Sequence, residues 1–120
     1  MIDHLSVRVR DYEKAKAFYA VALRPLGYEL VMEFDRTCGL GAGGKPDLWL
    51  AADPDARPMH FAIVARDRKA VDAFYAAAIG AGAKDNGKPG IRKDYHPGYY
   101  AAFVLDATGH NVEAVCHEHA

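Results

Sequence analysis

From His4 to Val9 polar and apolar side chains alternate, with Leu5, Val7 and Val9 on one side of an extended chain and His4, Ser6 and Arg8 on the other. This pattern predicts a strand with one apolar face. Fifty-six positions later the text returns: His4, Arg10, Asp11, Ala17, Phe18, Tyr19, Ala20 and Ala22 match His60, Arg66, Asp67, Ala73, Phe74, Tyr75, Ala76 and Ala78 without a gap. Leu5 answers to Phe61, Val7 to Ile63 and Leu23 to Ile79, so the apolar pattern repeats along with the identities. The chain is therefore two copies of one unit.

Each opening strand leads to a helix. Asp11 and Asp67 stand where an N-cap belongs, and Ala15, Phe18, Ala22 and Val71, Phe74, Ala78 recur at helical spacing. Pro25 with Gly27 closes the first helix and Gly80 to Gly82 the second. Beyond them the first copy predicts strands over 28–34 and 47–51 around a glycine-rich turn at 39–44. The second predicts a polar loop over 84–94, a strand over 99–105, a turn at 106–109 and a last strand over 111–116. Residues 53–58, with two prolines, form a linker between module one (1–52) and module two (59–120) of a single domain spanning 1–120.

The run Gly39-Leu40-Gly41-Ala42-Gly43-Gly44-Lys45 has the spacing of a dinucleotide-binding loop and nearly that of a P-loop. A phosphate cradle needs a helix N-terminus after the loop, and a P-loop needs a hydroxyl after its lysine. Pro46 follows Lys45 and a strand follows Pro46, so these glycines are read as a turn that needs positive φ.

Composition narrows the partners. Fifteen basic against sixteen acidic residues give a formal net charge of -1, so neither nucleic acid nor a membrane surface is expected to bind through charge. Cys38 and Cys116 lie far apart and suit reduced thiols better than a disulfide framework. Met1-Ile2-Asp3-His4 lacks the basic end and apolar run of a secretory signal, and no stretch reaches transmembrane length, so a cytoplasmic location is expected. A chain this short encloses a sizeable ligand cavity most easily between its halves or between subunits.

The candidate chemistry centres on His4, His60 and Glu113. The two histidines hold the same repeat position on the polar strand face, and quasi-twofold symmetry draws them toward one axis. Glu113 lies in the apolar run Val112-Glu113-Ala114-Val115, where a buried carboxylate needs a partner, expected to be cationic. Aligning Asp47-Leu48-Trp49-Leu50 with Asn111-Val112-Glu113-Ala114 puts Trp49 at the matching place in the first copy. Two imidazoles and one carboxylate with open coordination positions suit iron and also accept manganese, zinc or nickel.

With this repeat, with His4 in Ile2-Asp3-His4-Leu5-Ser6-Val7, His60 in Met59-His60-Phe61-Ala62-Ile63, and Glu113 after Asp106-Ala107-Thr108-Gly109-His110-Asn111-Val112, the chain resembles the vicinal oxygen chelate superfamily over nearly its whole length. That superfamily contains glyoxalase I, bleomycin-resistance proteins, fosfomycin-resistance transferases and extradiol dioxygenases. The resemblance implies an α+β fold of two tandem βαβββ modules, eight strands in a cupped, barrel-like mixed sheet with helices outside. It also implies a homodimer whose sites combine modules from two chains, or a site closed within one chain. Trp49 stands where glyoxalase I has a fourth ligand, so the metal-ligand pattern is nearer to the fosfomycin-resistance transferases, which share a Leu-Trp-Leu-like strand, and to the extradiol dioxygenases. The chain ends without the basic C-terminal segment of those transferases, and Tyr95-His96-Pro97-Gly98 does not resemble their potassium loop.

The implied function is a metal-dependent lyase, transferase or dioxygenase acting on a small oxygen-rich substrate. His4, His60 and Glu113 are the metal ligands, Ser6 and Tyr100 the candidate catalytic residues, and Arg8, Trp49, His96 and Tyr99 the candidate substrate contacts. The alternative is a non-catalytic protein that sequesters a small molecule or drug, as bleomycin-resistance proteins do. The near-neutral charge weighs against a cationic drug. His110 is assigned to a turn, His117 and His119 to a solvated tail, and Lys84, Lys88, Arg92 and Lys93 to a solvated basic loop.

Overall fold

A computed structural model describes residues 1–117; His119 of the expected tail lies outside the described residues. The first module runs β1 (Leu5–Val9), α1 (Tyr12–Ala22), a 3-10 turn (Arg24–Leu26), β2 (Glu29–Phe34), β3 (Thr37–Gly41) and β4 (Leu48–Ala52). The second repeats the plan with β5 (His60–Val64), α2 (Arg68–Gly80), β6 (Lys84–Ile91), β7 (Tyr99–Leu105) and β8 (Asn111–His117). Both helices begin at the expected aspartates: the side chain of Asp11 accepts from the Lys14 N–H and that of Asp67 from the Ala70 N–H. Each such cap is worth about 1 kcal/mol.

The sheets have matching orders, β1-β4-β3-β2 and β5-β8-β7-β6, each with one parallel pair at the first strand and antiparallel pairs beyond it. The eight strands thus form two four-stranded mixed sheets that do not close into a barrel. β1 and β5 have ladder partners on one side only, so side chains rather than a continuous ladder join the modules. A single core serves both, with Val7, Tyr19, Leu40 and Leu50 of the first module in one buried cluster with Phe61, Val71, Phe74 and Val104 of the second.

Two polar groups pin that junction. Tyr19 donates its hydroxyl to Asp106 Oδ2 at 2.5 Å, while Asp106 Oδ1 accepts the N–H groups of Thr108, Gly109 and His110. Burial, followed by the neighbouring Asp106 charge, pushes the Tyr19 phenol well above its usual range. His110 is buried: its Nδ1 accepts from the Met59 N–H at 3.0 Å, so Nε2 carries the proton that it donates to the Arg8 carbonyl at 2.7 Å. A residue assigned to a turn is therefore a bridge between modules, a role set by two chain segments distant from it in sequence.

Two other expectations change. Residues 84–91 of the expected polar loop are β6, an edge strand with register shifts between Asp85 and Gly87 and between Gly87 and Gly90. Its bulges hide the period-two pattern, and Pro89 is tolerated because an edge strand has one unpaired side. In the first module β3 begins at Thr37 and takes in the first glycines of the expected turn. A Cβ on Gly41 would lie 1.9 Å from the Lys45 carbonyl oxygen, so this glycine serves a close approach of backbone to backbone.

The β2–β3 hairpin turns at Asp35 and Arg36, both left-handed with φ of 46 and 58 degrees. Such a two-residue turn favours glycine at its second position. Arg36→Gly is expected to raise stability by up to about 1 kcal/mol, read as a higher urea midpoint with an unchanged slope. His110→Ala strands the Met59 donor and the Arg8 acceptor, and is expected to cost about 1–3 kcal/mol, read as a lower urea midpoint.

Candidate functional site

Alternation along the strands gives each sheet a face packed on its helix and an open face. In the second module the open face carries His60 from β5, Tyr99, Ala101 and Phe103 from β7, and Glu113, Val115 and His117 from β8. Glu113 is only 2% exposed. Its Oε1 lies 2.7 Å from His60 Nε2, and its Oε2 accepts the Tyr99 hydroxyl. The buried carboxylate is thus held by two donors, one of them an imidazole whose side chain is 53% exposed. The partners of the carboxylate are a histidine and a phenol.

The path of Tyr99 explains how it reaches. It faces His117 across the ladder, four pairs along the sheet from the Phe103–Glu113 pair. Its ring packs with Ala101, Val115 and Phe103, and the small Ala101 leaves room for it. Tyr95, His96 and His117 meet the ring edge-on, with centroids 4.9, 5.4 and 5.2 Å away. His96 is fixed in turn: the Gly98 N–H points to its Nδ1 and its Nε2 lies 2.6 Å from His117 Nδ1. Burial, then the hydrogen bond to Glu113 and its charge, push the Tyr99 phenol up to about 12, against a smaller lowering by Arg92.

The first module carries the matching open face. Ser6 pairs with Trp49 across the β1–β4 ladder as Ala62 pairs with Glu113 across β5–β8, so Trp49 and Glu113 do hold equivalent positions. The indole packs edge-on against Phe34 at 6.3 Å and lies over Gly39, where a Cβ would stand 3.0 Å from the ring. Ser6 and Arg8 are exposed on this face, Arg8 with a guanidinium nitrogen 3.7 Å from Asp53. His4 is exposed, and its Nδ1 pairs with Asp3 at 2.8 Å.

Of the residues expected in the site, the structure brings His60, Glu113, Tyr99 and His96 together. His4, Ser6, Arg8 and Trp49 gather in the other module. His4 and His60 both line a cleft of about 620 Å³ between β1 and β5, together with Tyr28, Asp47 and Met59. Tyr100 lies on the opposite side of β7, where its hydroxyl donates to Asp72 of α2 at 2.6 Å, so it does not join Glu113. The period-two rule could have separated Tyr99 from Tyr100 in the sequence alone.

In donor chemistry, His60 Nε2 and Glu113 Oε1 suit a divalent metal and stand side by side. Among the described residues, however, no group of three or more His, Cys, Asp or Glu side chains is placed to hold one. A single chain therefore presents two donors of the expected set.

The comparisons agree with this architecture. The profile of the Glyoxalase/Bleomycin resistance protein/Dioxygenase superfamily matches residues 1–114, and the chain belongs to that superfamily. Among solved structures it is similar to a glyoxalase/bleomycin resistance protein from Albidiferax ferrireducens T118, at 23% identity and a TM-score of 0.85 over 95% of this chain and 97% of the other. It is also similar to a putative glyoxalase from Bacillus halodurans, at 25% identity and a TM-score of 0.72 over 97% and 95%. The fold is shared with the oxidase ChaP-H2, at 17% identity and a TM-score of 0.71 over 100% and 95%. No curated protein matches the chain in sequence. Among the described residues no helix is long and apolar enough to cross a membrane.

Tyr99→Phe removes one of the two donors to the buried carboxylate and is expected to cost about 1–3 kcal/mol in urea unfolding at neutral pH. The loss should largely vanish when Glu113 is already leucine, the signature of a pair that acts together. Because folding raises the Tyr99 pKa, the folded protein holds that proton longer than the unfolded chain. Its contribution is full below the ordinary phenol range and is lost as pH rises toward about 12, so the gap between wild type and Tyr99→Phe should narrow over that interval.

Proposed function

We propose that this chain is a metal-dependent enzyme that acts on a small oxygen-rich substrate, and that it works as a homodimer. The observation that carries this is the His60–Glu113 pair, a buried carboxylate beside an exposed imidazole on the open face of the second module. In this proposal His4 of a second copy supplies the third ligand. The unpaired edges of β1 and β5 beside the cleft and the exposure of Phe34 (58%) and Val64 (70%) support a second copy as the cover of this region. The name of one similar structure, a putative glyoxalase at 25% identity, supports catalysis.

A divalent ion such as iron, manganese, zinc or nickel, held by these residues, would supply Lewis acidity toward adjacent substrate oxygens. The chain's own groups do the rest. Glu113 provides a negative charge held at Oε2 by the Tyr99 hydroxyl, which leaves Oε1, beside His60 Nε2, for the ion. The Tyr99 hydroxyl, which donates to Glu113 Oε2, lies beside the carboxylate, where it is placed to hydrogen-bond a substrate oxygen. Ser6, Arg8 and Trp49 on the matching open face are proposed to face the substrate from the other copy.

The test is metal content and its complementation. Protein purified without added metal should carry about one divalent ion per chain, and His60→Ala and His4→Ala should each lose it. Mixing the two variants after partial denaturation and refolding should restore ions to the mixed dimers, because each such dimer contains one intact combination. Trace metal that is equal in wild type and both variants would refute metal dependence, and loss in His60→Ala alone would refute the shared site.

A further inference from the structure

The sequence assigns Arg92 to a solvated basic loop, but the structure places it against the open face of the second module. It directly follows β6, and its N–H donates to the Tyr99 carbonyl at 2.7 Å. Its guanidinium carbon lies 5.3 Å from the centroid of the Phe103 ring, and one terminal nitrogen donates to the Lys88 carbonyl at 2.7 Å. Phe103 is the ladder partner of Glu113, and its ring stands 6.2 Å from that of His60. The cation is thus held one ring away from the candidate metal ligands.

Two glycines make this placement possible. A Cβ on Gly87 would lie 2.8 Å from Phe103 and 3.1 Å from Arg92 Nη2, and a Cβ on Gly90 would lie 3.1 Å from Arg92 Nη1. The bulged, side-chain-free stretch of β6 therefore forms a seat in which the guanidinium lies against backbone on one side and an aromatic ring on another. The Phe103 ring and the Lys88 carbonyl hold the guanidinium in place, and that carbonyl engages only one of its five donors.

We infer that Arg92 anchors an anionic oxygen group of the substrate, a carboxylate or a phosphoryl or phosphonyl group, beside the His60–Glu113 pair. This deepens the proposed function and rests on placing the reacting site at that pair. The planar fork suits such oxyanions, which accept two parallel N–H bonds, whereas a neutral diol or ketone offers no such charge. The substrate class is therefore an oxygen-rich acid, with neighbouring oxygens for the metal-ligand side and an anionic end for Arg92.

The test is calorimetric titration of the chelator-treated protein with inorganic phosphate, with glycolate and with neutral ethylene glycol. It is run without metal, so that its result is separate from that of metal ligation. Wild type should bind phosphate, glycolate or both, and should not bind ethylene glycol detectably. Arg92→Gln should weaken anion binding by about tenfold or more, as expected for loss of a charge-assisted hydrogen bond. Arg92→Lys keeps the charge but not the fork and should fall between. Gly90→Ala leaves the arginine in place but crowds its seat, and should also weaken binding several-fold with an unchanged melting temperature. A stronger response to phosphate would identify a phosphoryl or phosphonyl end, and a stronger response to glycolate a carboxylate. Anion affinity equal in wild type and Arg92→Gln, or no anion binding by wild type, would overturn the inference, even if metal ligation by His60 is confirmed.

Discussion

A carboxylate that is 2% exposed on a sheet face is the constraint around which the second module is arranged. Glu113 would be costly there without donors on its oxygens, because burial removes the water that would otherwise solvate it. His60 satisfies one oxygen and Tyr99 the other. For the phenol to arrive, its ring must cross Ala101 and Val115, and the rings of Tyr95, His96 and His117 then hold it from its edges. The residues 95–99 thus behave as a brace for a buried charge, and their aromatic character has a packing cause as well as a chemical one.

The two modules use the same scaffold for opposite ends. At one register position the second module buries a charge, and the first places an indole over a glycine. Every polar candidate of the first module lies on its open face, as does the carboxylate and its donors in the second. Tyr19 and His110 meanwhile fix how the halves sit together, through Asp106 and through the Arg8 carbonyl and Met59 N–H. A duplicated unit can in this way divide labour: one copy carries a pair of ligand-type groups, and the other offers aromatic and cationic surface.

Much of the fold was legible in the sequence because duplication prints the same signals twice. The N-cap aspartates, the opening strands and the helical spacing of Phe18 and Phe74 each had an independent second reading. β6 escaped because bulges at Gly87 and Gly90 break its alternation and Pro89 resembles a loop residue. The register of Glu113 with Trp49 was legible from alignment, and the separation of Tyr99 from Tyr100 could have been read from parity. His110 and Arg92 could not be read in this way. Their partners, the Arg8 carbonyl, Met59 N–H, Phe103 ring and Lys88 carbonyl, are brought to them by the fold, and no short motif announces them.

In the proposed function the His60–Glu113 pair is part of a divalent metal centre that a second copy of the chain completes. Crystals grown with manganese and measured for anomalous scattering would test it most directly. The expected result is an anomalous peak within bonding distance of His60 Nε2 and a Glu113 oxygen of one copy and of a His4 ring nitrogen of another. A peak bound elsewhere, or a fully occupied dimer with no peak at this pair, would contradict it.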